Sequence, residues 1–369
     1  MALLSTHARR YSRANHCNTL VIVLLLICSI PSLNAQIPAT GSEFRAVFQK
    51  GAVFSHNHSE ESGYGGQTAA TSLIALREIG ADWVSIVPVG YSFNIRHPAI
   101  FGYRGEDLTL TRERLIKTIQ DAKAAGFQVL LNPQLWIGVH WGVGEWRGFV
   151  RMDSDESWQE WFAQYREFIR YFAEIAQETE VSLFCVGSEL EGTVSGHETE
   201  WREIIAVVRS IYHGPCTYSA NWGEEWEQVP FWDLLEYAGI SAYYPVGDGD
   251  KAARMAHLLP VVERLRGFHE RTGKPILFLE SGFQSRPGSG VSPSEWKWNA
   301  DEPVDVEEQR LNYEVWFETF WPQPWFYGVY WWQWFADPEY DAGQQSGYAF
   351  RNKPAMQLVR DWFTRPSPR

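Results

Sequence analysis

Glu189 and Glu280 each close a strongly apolar run, Ser182-Leu183-Phe184-Cys185-Val186-Gly187-Ser188 before the first and Pro275-Ile276-Leu277-Phe278-Leu279 before the second. A carboxylate at the end of an apolar strand loses solvation unless it has partners or a chemical task. The same loss raises its pKa, which a general acid needs. Two such carboxylates are the equipment for cleaving a glycosidic bond. One protonates the leaving oxygen, and the other attacks the sugar or activates water. A gap of about 5–5.5 Å between them marks retention through a covalent glycosyl-enzyme, and a wider gap marks inversion.

A rival chemistry starts from His56-Asn57-His58. This is the spacing at which a metal-dependent amidohydrolase barrel places two ligands, but the other ligands of such a site are missing. The strand ends that should supply them offer Asn221, Tyr244 and Trp334. We therefore expect no metal and no cofactor, and a sugar-contacting or loop-structuring role for His56 and His58. Asp233, Asp248, Asp250 and Asp337 lie in predicted loops, where aspartates serve as turn and capping residues.

The elements that must position the two glutamates are apolar runs of strand length alternating with amphipathic helical stretches, the pattern of βα units around a parallel sheet. Strands are predicted at 51–54, 83–87, 128–134, 182–187, 216–221, 239–244, 275–280 and 328–334. Helices are predicted at 68–79, 111–125, 153–178, 201–212, 252–271, 306–320 and 355–363, with a short one at 231–236. Gly80 and Gly126 stand where C-terminal caps are needed. Eight such units close a (β/α)8 TIM barrel, an α/β fold that runs past 250 residues as one domain. Glu189 then ends strand four and Glu280 ends strand seven. Two loops on that side that are longer than the barrel needs, 137–152 and 284–302, carry His140, Trp141, Trp146, Trp296 and Trp298, which predicts an aromatic-lined cleft.

With this order established, the chain resembles the retaining glycosidases of the large (β/α)8 clan. More narrowly it is similar to glycoside hydrolase family 113, the endo-β-1,4-mannanases. The resemblance rests on Val186-Gly187-Ser188-Glu189-Leu190, Tyr218-Ser219-Ala220-Asn221-Trp222, Gly239-Ile240-Ser241-Ala242-Tyr243-Tyr244-Pro245, Phe278-Leu279-Glu280-Ser281-Gly282-Phe283 and Trp331-Trp332-Gln333-Trp334. It implies Glu189 as acid/base and Glu280 as nucleophile, with Tyr244 as the phenol partner of the nucleophile and Tyr243 as the alternative. It also implies a strand-eight tryptophan under the cleaved sugar, Trp332 in preference to Trp334, which period-two alternation puts on one face with Trp331 on the other.

Asn221 and Trp222 end strand five, and Asn132, Gln134 and Trp136 end strand three. The polar three either contact sugar hydroxyls or serve as loop caps and barrel filler, while the tryptophans are candidate sugar platforms. The chain departs from the clan at Ser188, where an asparagine commonly precedes the acid/base glutamate.

The net charge of −13 argues against a polyanionic partner such as nucleic acid and suits a neutral β-linked glycan. The alternatives within reach are a β-glycosidase on another β-linked glycan, an exo-acting mannosidase, or a barrel that binds sugar without cleaving it. Arg9, Arg10 and Arg13 precede the uncharged apolar run 19–30, and Leu33-Asn34-Ala35 offers a cleavage point. This is the grammar of an export signal over 1–35, with an uncleaved anchor as the alternative. The catalytic domain is then 36–369, secreted or periplasmic, without a further membrane span and acting as a monomer. Of the four cysteines, Cys185 and Cys216 remain after signal removal, and we expect both as buried free thiols.

Overall fold

The structure is a computed structural model that describes residues 44–107, 109–138, 144–296, 303–343 and 345–368. The predicted signal segment, His140, Trp141 and Trp298 lie outside the described residues.

In chain order the strands are β1 (Gln49–Ser55), β2 (Trp83–Ile86), β3 (Val89–Ser92), β4 (Gln128–Leu131), β5 (Gln134–Ile137), β6 (Leu183–Ser188), β7 (Cys216–Asn221), β8 (Ala238–Ser241), β9 (Ile276–Ser281) and β10 (Phe326–Phe335). The helices are α1 (Gln67–Glu78), α2 (Arg112–Ala124), α3 (Asp155–Glu178), α4 (Glu191–Val194), α5 (Glu198–Ile211), α6 (Glu225–Gln228), α7 (Lys251–Thr272), α8 (Val306–Phe320), α9 (Pro338–Gly343) and α10 (Pro354–Phe363). Strands β1, β2, β4, β6, β7, β8, β9 and β10 pair in parallel in that order and close a barrel, as expected. The fourth barrel strand is thus β6 and the seventh is β9.

Local chemistry explains the element ends. Gly80 and Gly126 take the left-handed conformation that ends α1 and α2, with φ of 91° and 88°. The Thr111 side chain accepts a hydrogen bond from Arg114 N–H at the start of α2, Ser154 and Ser157 form a capping box on α3, and Asp250 caps α7. The short helix predicted at 231–236 is instead a single 3-10 turn, Trp232–Leu234, preceded by α6.

Two layers of apolar side chains hold the barrel. Val53, Leu130, Leu183, Leu277, Leu279 and Tyr330 fill its interior. A larger cluster fills the space between strands and helices, and Trp161, Trp201, Trp226, Trp316, Trp325, Trp331 and Trp334 are fully buried. Much of the tryptophan excess is therefore packing. Cys185 and Cys216, on the adjacent strands β6 and β7, are buried free thiols.

Two features shape the barrel mouth. First, the strand predicted at 128–134 splits at Pro133, which lacks the N–H a continuous ladder needs. Pro88 interrupts the neighbouring chain at the matching register, and beyond both prolines β3 and β5 pair in parallel, Val89 opposite Gln134. The barrel wall thus continues above its rim. Second, β6, β9 and β10 each carry an extra residue against a neighbour near the C-terminal end: Cys185 to Ser188 opposes Thr217 to Ser219, Phe278 to Ser281 opposes Val329 to Trp331, and Trp331 to Trp334 opposes Ala52 to Phe54. Such bulges re-aim the side chains that follow. Among the described residues, no helix is long and apolar enough to cross a membrane.

Candidate active site

The bulged strand ends surround a cleft of about 1010 Å³ whose walls include Glu189, Glu280, Gln134, Trp136, Tyr243 and Trp332. Both glutamates are buried, with 7% and 4% of their surface exposed.

Glu189 follows β6 in the left-handed conformation, φ 52°, which is uncommon for a residue with a Cβ. Strand β7 grips it from both sides. Glu189 N–H donates to Ser219 O at 2.7 Å, and Leu190 N–H donates to Tyr218 Oη at 2.9 Å. Tyr218 Oη in turn hydrogen-bonds Glu225, whose other oxygen accepts Asn221 N–H at 2.6 Å. Burial pushes the Glu225 carboxyl up to about 8. The side chain of Glu189 is met by two donors from one loop turn: Arg147 Nη2 at 2.9 Å and Trp146 Nε1 at 3.2 Å, both on Oε2.

Glu280 sits in β9 with neutral donors on each oxygen. Gln134 Nε2 donates to Oε1 at 2.6 Å and the Tyr243 hydroxyl donates to Oε2 at 3.1 Å. Burial and the facing Glu189 charge push Glu280 up to about 7, against the pull of Arg147 and of these two hydrogen bonds. Like charges facing one another disfavour the ionised form, and that adds to burial at Glu280. Burial first, and then the Glu280 charge, hold the Tyr243 phenol well above its usual value, so it remains a donor.

The tyrosine beside the strand-seven glutamate is therefore Tyr243 and not Tyr244. Period-two alternation carries Ile240, Ala242 and Tyr244 into the outer core, where Tyr244 packs on Phe278 and Phe320 and its buried hydroxyl has no partner among the described residues. Ala242 N–H donates to Glu280 O at 2.6 Å and fixes the turn that aims Tyr243 inward.

A second correction concerns strand eight. Trp332 lines the cleft, but Trp334 does not: the β10 bulge puts Trp332 and Gln333 inside and returns Trp334 to the outer core. There its Nε1–H donates to Ser72 Oγ at 2.9 Å, and Arg351 lies 4.5 Å over its ring. The Trp332–Gln333 peptide is cis.

The remaining predicted residues divide by what their polar atoms already do. Gln134 is a partner of Glu280 as well as a cleft residue. Asn221 lines the cleft, but its Oδ1 accepts Gly223 N–H at 3.0 Å, which is the loop-capping alternative. Trp136, Trp146, Trp222 and Trp296 also line the cleft. Asn132 and Ser188 are buried outside the cleft lining. His56 has no lone pair for a metal. Its Nδ1 accepts Tyr64 N–H at 3.0 Å, its Nε2 meets Thr109 Oγ1 at 3.0 Å, and burial drives its pKa down to about 3. Among the described residues no three His, Cys, Asp or Glu side chains cluster as metal ligands.

Sequence reasoning missed Arg147 and Glu225. Arg147 directly follows Trp146 in a loop already marked as forming the cleft, and a cation there was a usable clue. Glu225 lies in a loop turn with no pattern that distinguishes a buried carboxyl from a solvated one.

Comparison with known proteins agrees with this fold. The model of glycoside hydrolase family 113 matches residues 54–353. The family 113 β-mannanase of Alicyclobacillus acidocaldarius, solved in complex with ManMIm, is 32% identical with a TM-score of 0.75, over 87% of this chain and 99% of that one. A family 113 β-1,4-mannanase solved as a complex is 27% identical with a TM-score of 0.76, over 86% and 100%. A family 5 mannosidase from Rhizomucor miehei, 11% identical with a TM-score of 0.62 over 86% and 92%, shares the fold. No curated protein sequence matches.

Proposed function

Since the chain belongs to glycoside hydrolase family 113, we propose that it is an endo-acting β-1,4-mannanase working by double displacement on Glu189 and Glu280. The observation that carries this reading is a pair of buried carboxyls that close the fourth and seventh barrel strands and line one cleft, with Gln134 and Tyr243 donating to Glu280. In the first step Glu280 attacks the anomeric carbon while Glu189 gives its proton to the departing glycosidic oxygen. In the second, Glu189 takes a proton from water, which breaks the glycosyl–Glu280 ester with a second inversion, so configuration is retained. The hydrogen bonds from Gln134 and Tyr243 hold Glu280 in line for attack. Trp332 offers a platform for the sugar being cleaved.

We further propose that 1–35 directs export, that 36–369 is the catalytic domain, that the enzyme acts as a monomer in the periplasm or outside the cell, and that nucleic acid is no partner. The negative charge and the N-terminal pattern support this reading.

The test is an assay on β-mannan, glucomannan, xylan and cellulose with EDTA present and absent, beside Glu189→Gln and Glu280→Gln. Cleavage of mannan that ignores EDTA and collapses in both variants is the expected result. Hydrolysis of xylan or cellulose in preference to mannan would overturn the substrate, and a requirement for a divalent metal would overturn the mechanism.

A further inference from the structure

Glu225, the first residue of α6, is 1% exposed and stands outside the cleft lining. A carboxyl so far from water needs partners, and both of its partners lead to Glu189. Its Oε1 takes the hydrogen bond of the Tyr218 hydroxyl, and Tyr218 Oη accepts the N–H of Leu190, the peptide that follows Glu189, at 2.9 Å. Its Oε2 takes the N–H of Asn221 at 2.6 Å, at the end of the strand whose Ser219 O accepts Glu189 N–H. The peptides on both sides of the Glu189 Cα are therefore tied to β7, and one of the two ties passes through a hydroxyl whose proton Glu225 receives.

That hydroxyl has a direction to keep. A phenol both donates and accepts, and its proton turns to suit its neighbours. Because Glu225 takes the proton, a lone pair of Tyr218 Oη is left for Leu190 N–H. The ring itself is fixed by packing, edge-on to Trp201 at 5.4 Å and to Phe231 at 5.5 Å between centroids. A Cβ at Gly187, two residues before Glu189, would lie 2.8 Å from Tyr218 Cε2, so the glycine is what lets the ring approach β6. The backbone held in this way is the left-handed turn at Glu189, φ 52°, which a residue with a Cβ keeps only when its surroundings impose it.

We propose that Glu225 is a positioning residue for the acid/base: acting through Tyr218, it holds the turn at Glu189 and so the aim of that carboxyl at the glycosidic oxygen. The proposal rests on the reading of Glu189 as acid/base. A residue that aims the proton donor matters in proportion to the leaving group's need for a proton, whereas a general loss of stability affects every leaving group alike. The test is therefore kcat/KM on mannan and on a series of aryl β-mannosides of graded leaving-group pKa, for Glu225→Gln, Tyr218→Phe, the double variant and Glu189→Ala. An amide at 225 can accept on one side only, so either Tyr218 or Asn221 loses its acceptor, while Tyr218→Phe keeps the packed ring. Tyr165→Phe is the comparator, since it removes a buried hydrogen bond of 2.9 Å to Val186 O in the same strand β6.

Glu225→Gln and Tyr218→Phe should each lose about 10–100-fold on mannan and stay within about twofold of the wild type on the most acidic leaving group. Log kcat/KM should then fall more steeply with leaving-group pKa in both, the double variant should be no worse than the worse single one, and Tyr165→Phe should leave the slope unchanged. A loss that is equal across the series, no loss, additive losses in the double variant, or the same steepening in Tyr165→Phe overturns the positioning role, and a steepened slope in Glu189→Ala then leaves the acid/base reading standing. A Glu189→Ala loss that is the same for every leaving group overturns both.

Discussion

Glu189 and Glu280 sit at the ends of two strands of one barrel, yet their surroundings are built from different material. Glu280 is held by the scaffold: it lies within β9, its Gln134 partner comes from the paired strand β5, and Tyr243 is aimed by a backbone hydrogen bond between Ala242 and Glu280 itself. Glu189 lies one residue past β6 in a left-handed turn, and both of its side-chain donors, Trp146 and Arg147, come from one turn of a long loop. As the proposed nucleophile, Glu280 must approach one carbon along one line, so strand-borne partners suit it. Residue type is the same at both sites, and the provenance of the partners separates their surroundings.

Three experiments break or sharpen this contrast. The largest effect belongs to the glutamates themselves. Glu280→Ala should lower kcat on mannan by about 10⁴-fold or more, on every substrate, because the covalent step is gone. Glu189→Ala should lower it by about 10²–10⁴-fold on mannan but far less for the first step on an aryl mannoside whose leaving group needs no proton. Azide should then rescue Glu189→Ala turnover with a β-mannosyl azide product. An α-azide, or rescue of Glu280→Ala with retained configuration, would reverse the assignment.

Next come the adjacent tyrosines. Tyr243→Phe removes a hydrogen bond to a charged group, worth about 1.5–3 kcal/mol, and should reduce kcat/KM by about 10–100-fold. Tyr244→Phe removes a buried hydroxyl that has no partner among the described residues. It should leave kcat/KM within about twofold and hold or raise the melting temperature. Equal losses in both variants would show that the phenol at 243 does not act through Glu280.

The smallest effect is at Arg147. Its charge pulls the Glu280 pKa down, against burial and Glu189. Removing that cation disfavours the ionised carboxylate, so the acidic limb of kcat/KM, set near pH 7 by Glu280, should move to higher pH in Arg147→Met by about one unit. Arg147→Lys should keep the limb in place. An unmoved limb in Arg147→Met would mean that the loop cation contributes no field at the nucleophile.

Much of the fold was legible because it rests on local pattern. The apolar runs and capping residues placed all eight barrel strands and the principal helices, and the order of the strands then put both glutamates at the mouth. The alternation Ile240, Ala242, Tyr244 also carried enough information to choose Tyr243, since Ile240 must face the apolar side; the expectation for Tyr244 came from the family resemblance and did not use it. Trp334 is a different kind of failure. Alternation was applied there and misled, because the extra residue in β10 is decided by its pairing with β1, and no feature of the strand's own sequence reports its partner's register. Arg147 and Glu225 show the same limit for electrostatics, since each acquires its meaning only from a carboxyl or phenol brought near by the fold.

The matched prolines at 88 and 133 have a consequence for the thermodynamics of sugar capture. Above them β3 and β5 carry the barrel's hydrogen bonding on as one wall of the cleft, bearing Gln134 and Trp136, and a hydrogen-bonded ladder has little conformational entropy left to lose. A glycan pressed against that wall meets Gln134 and Trp136 on backbone that is already ordered, so little chain entropy remains to be lost there on binding. More of the enthalpy of stacking on Trp136 is therefore kept as affinity.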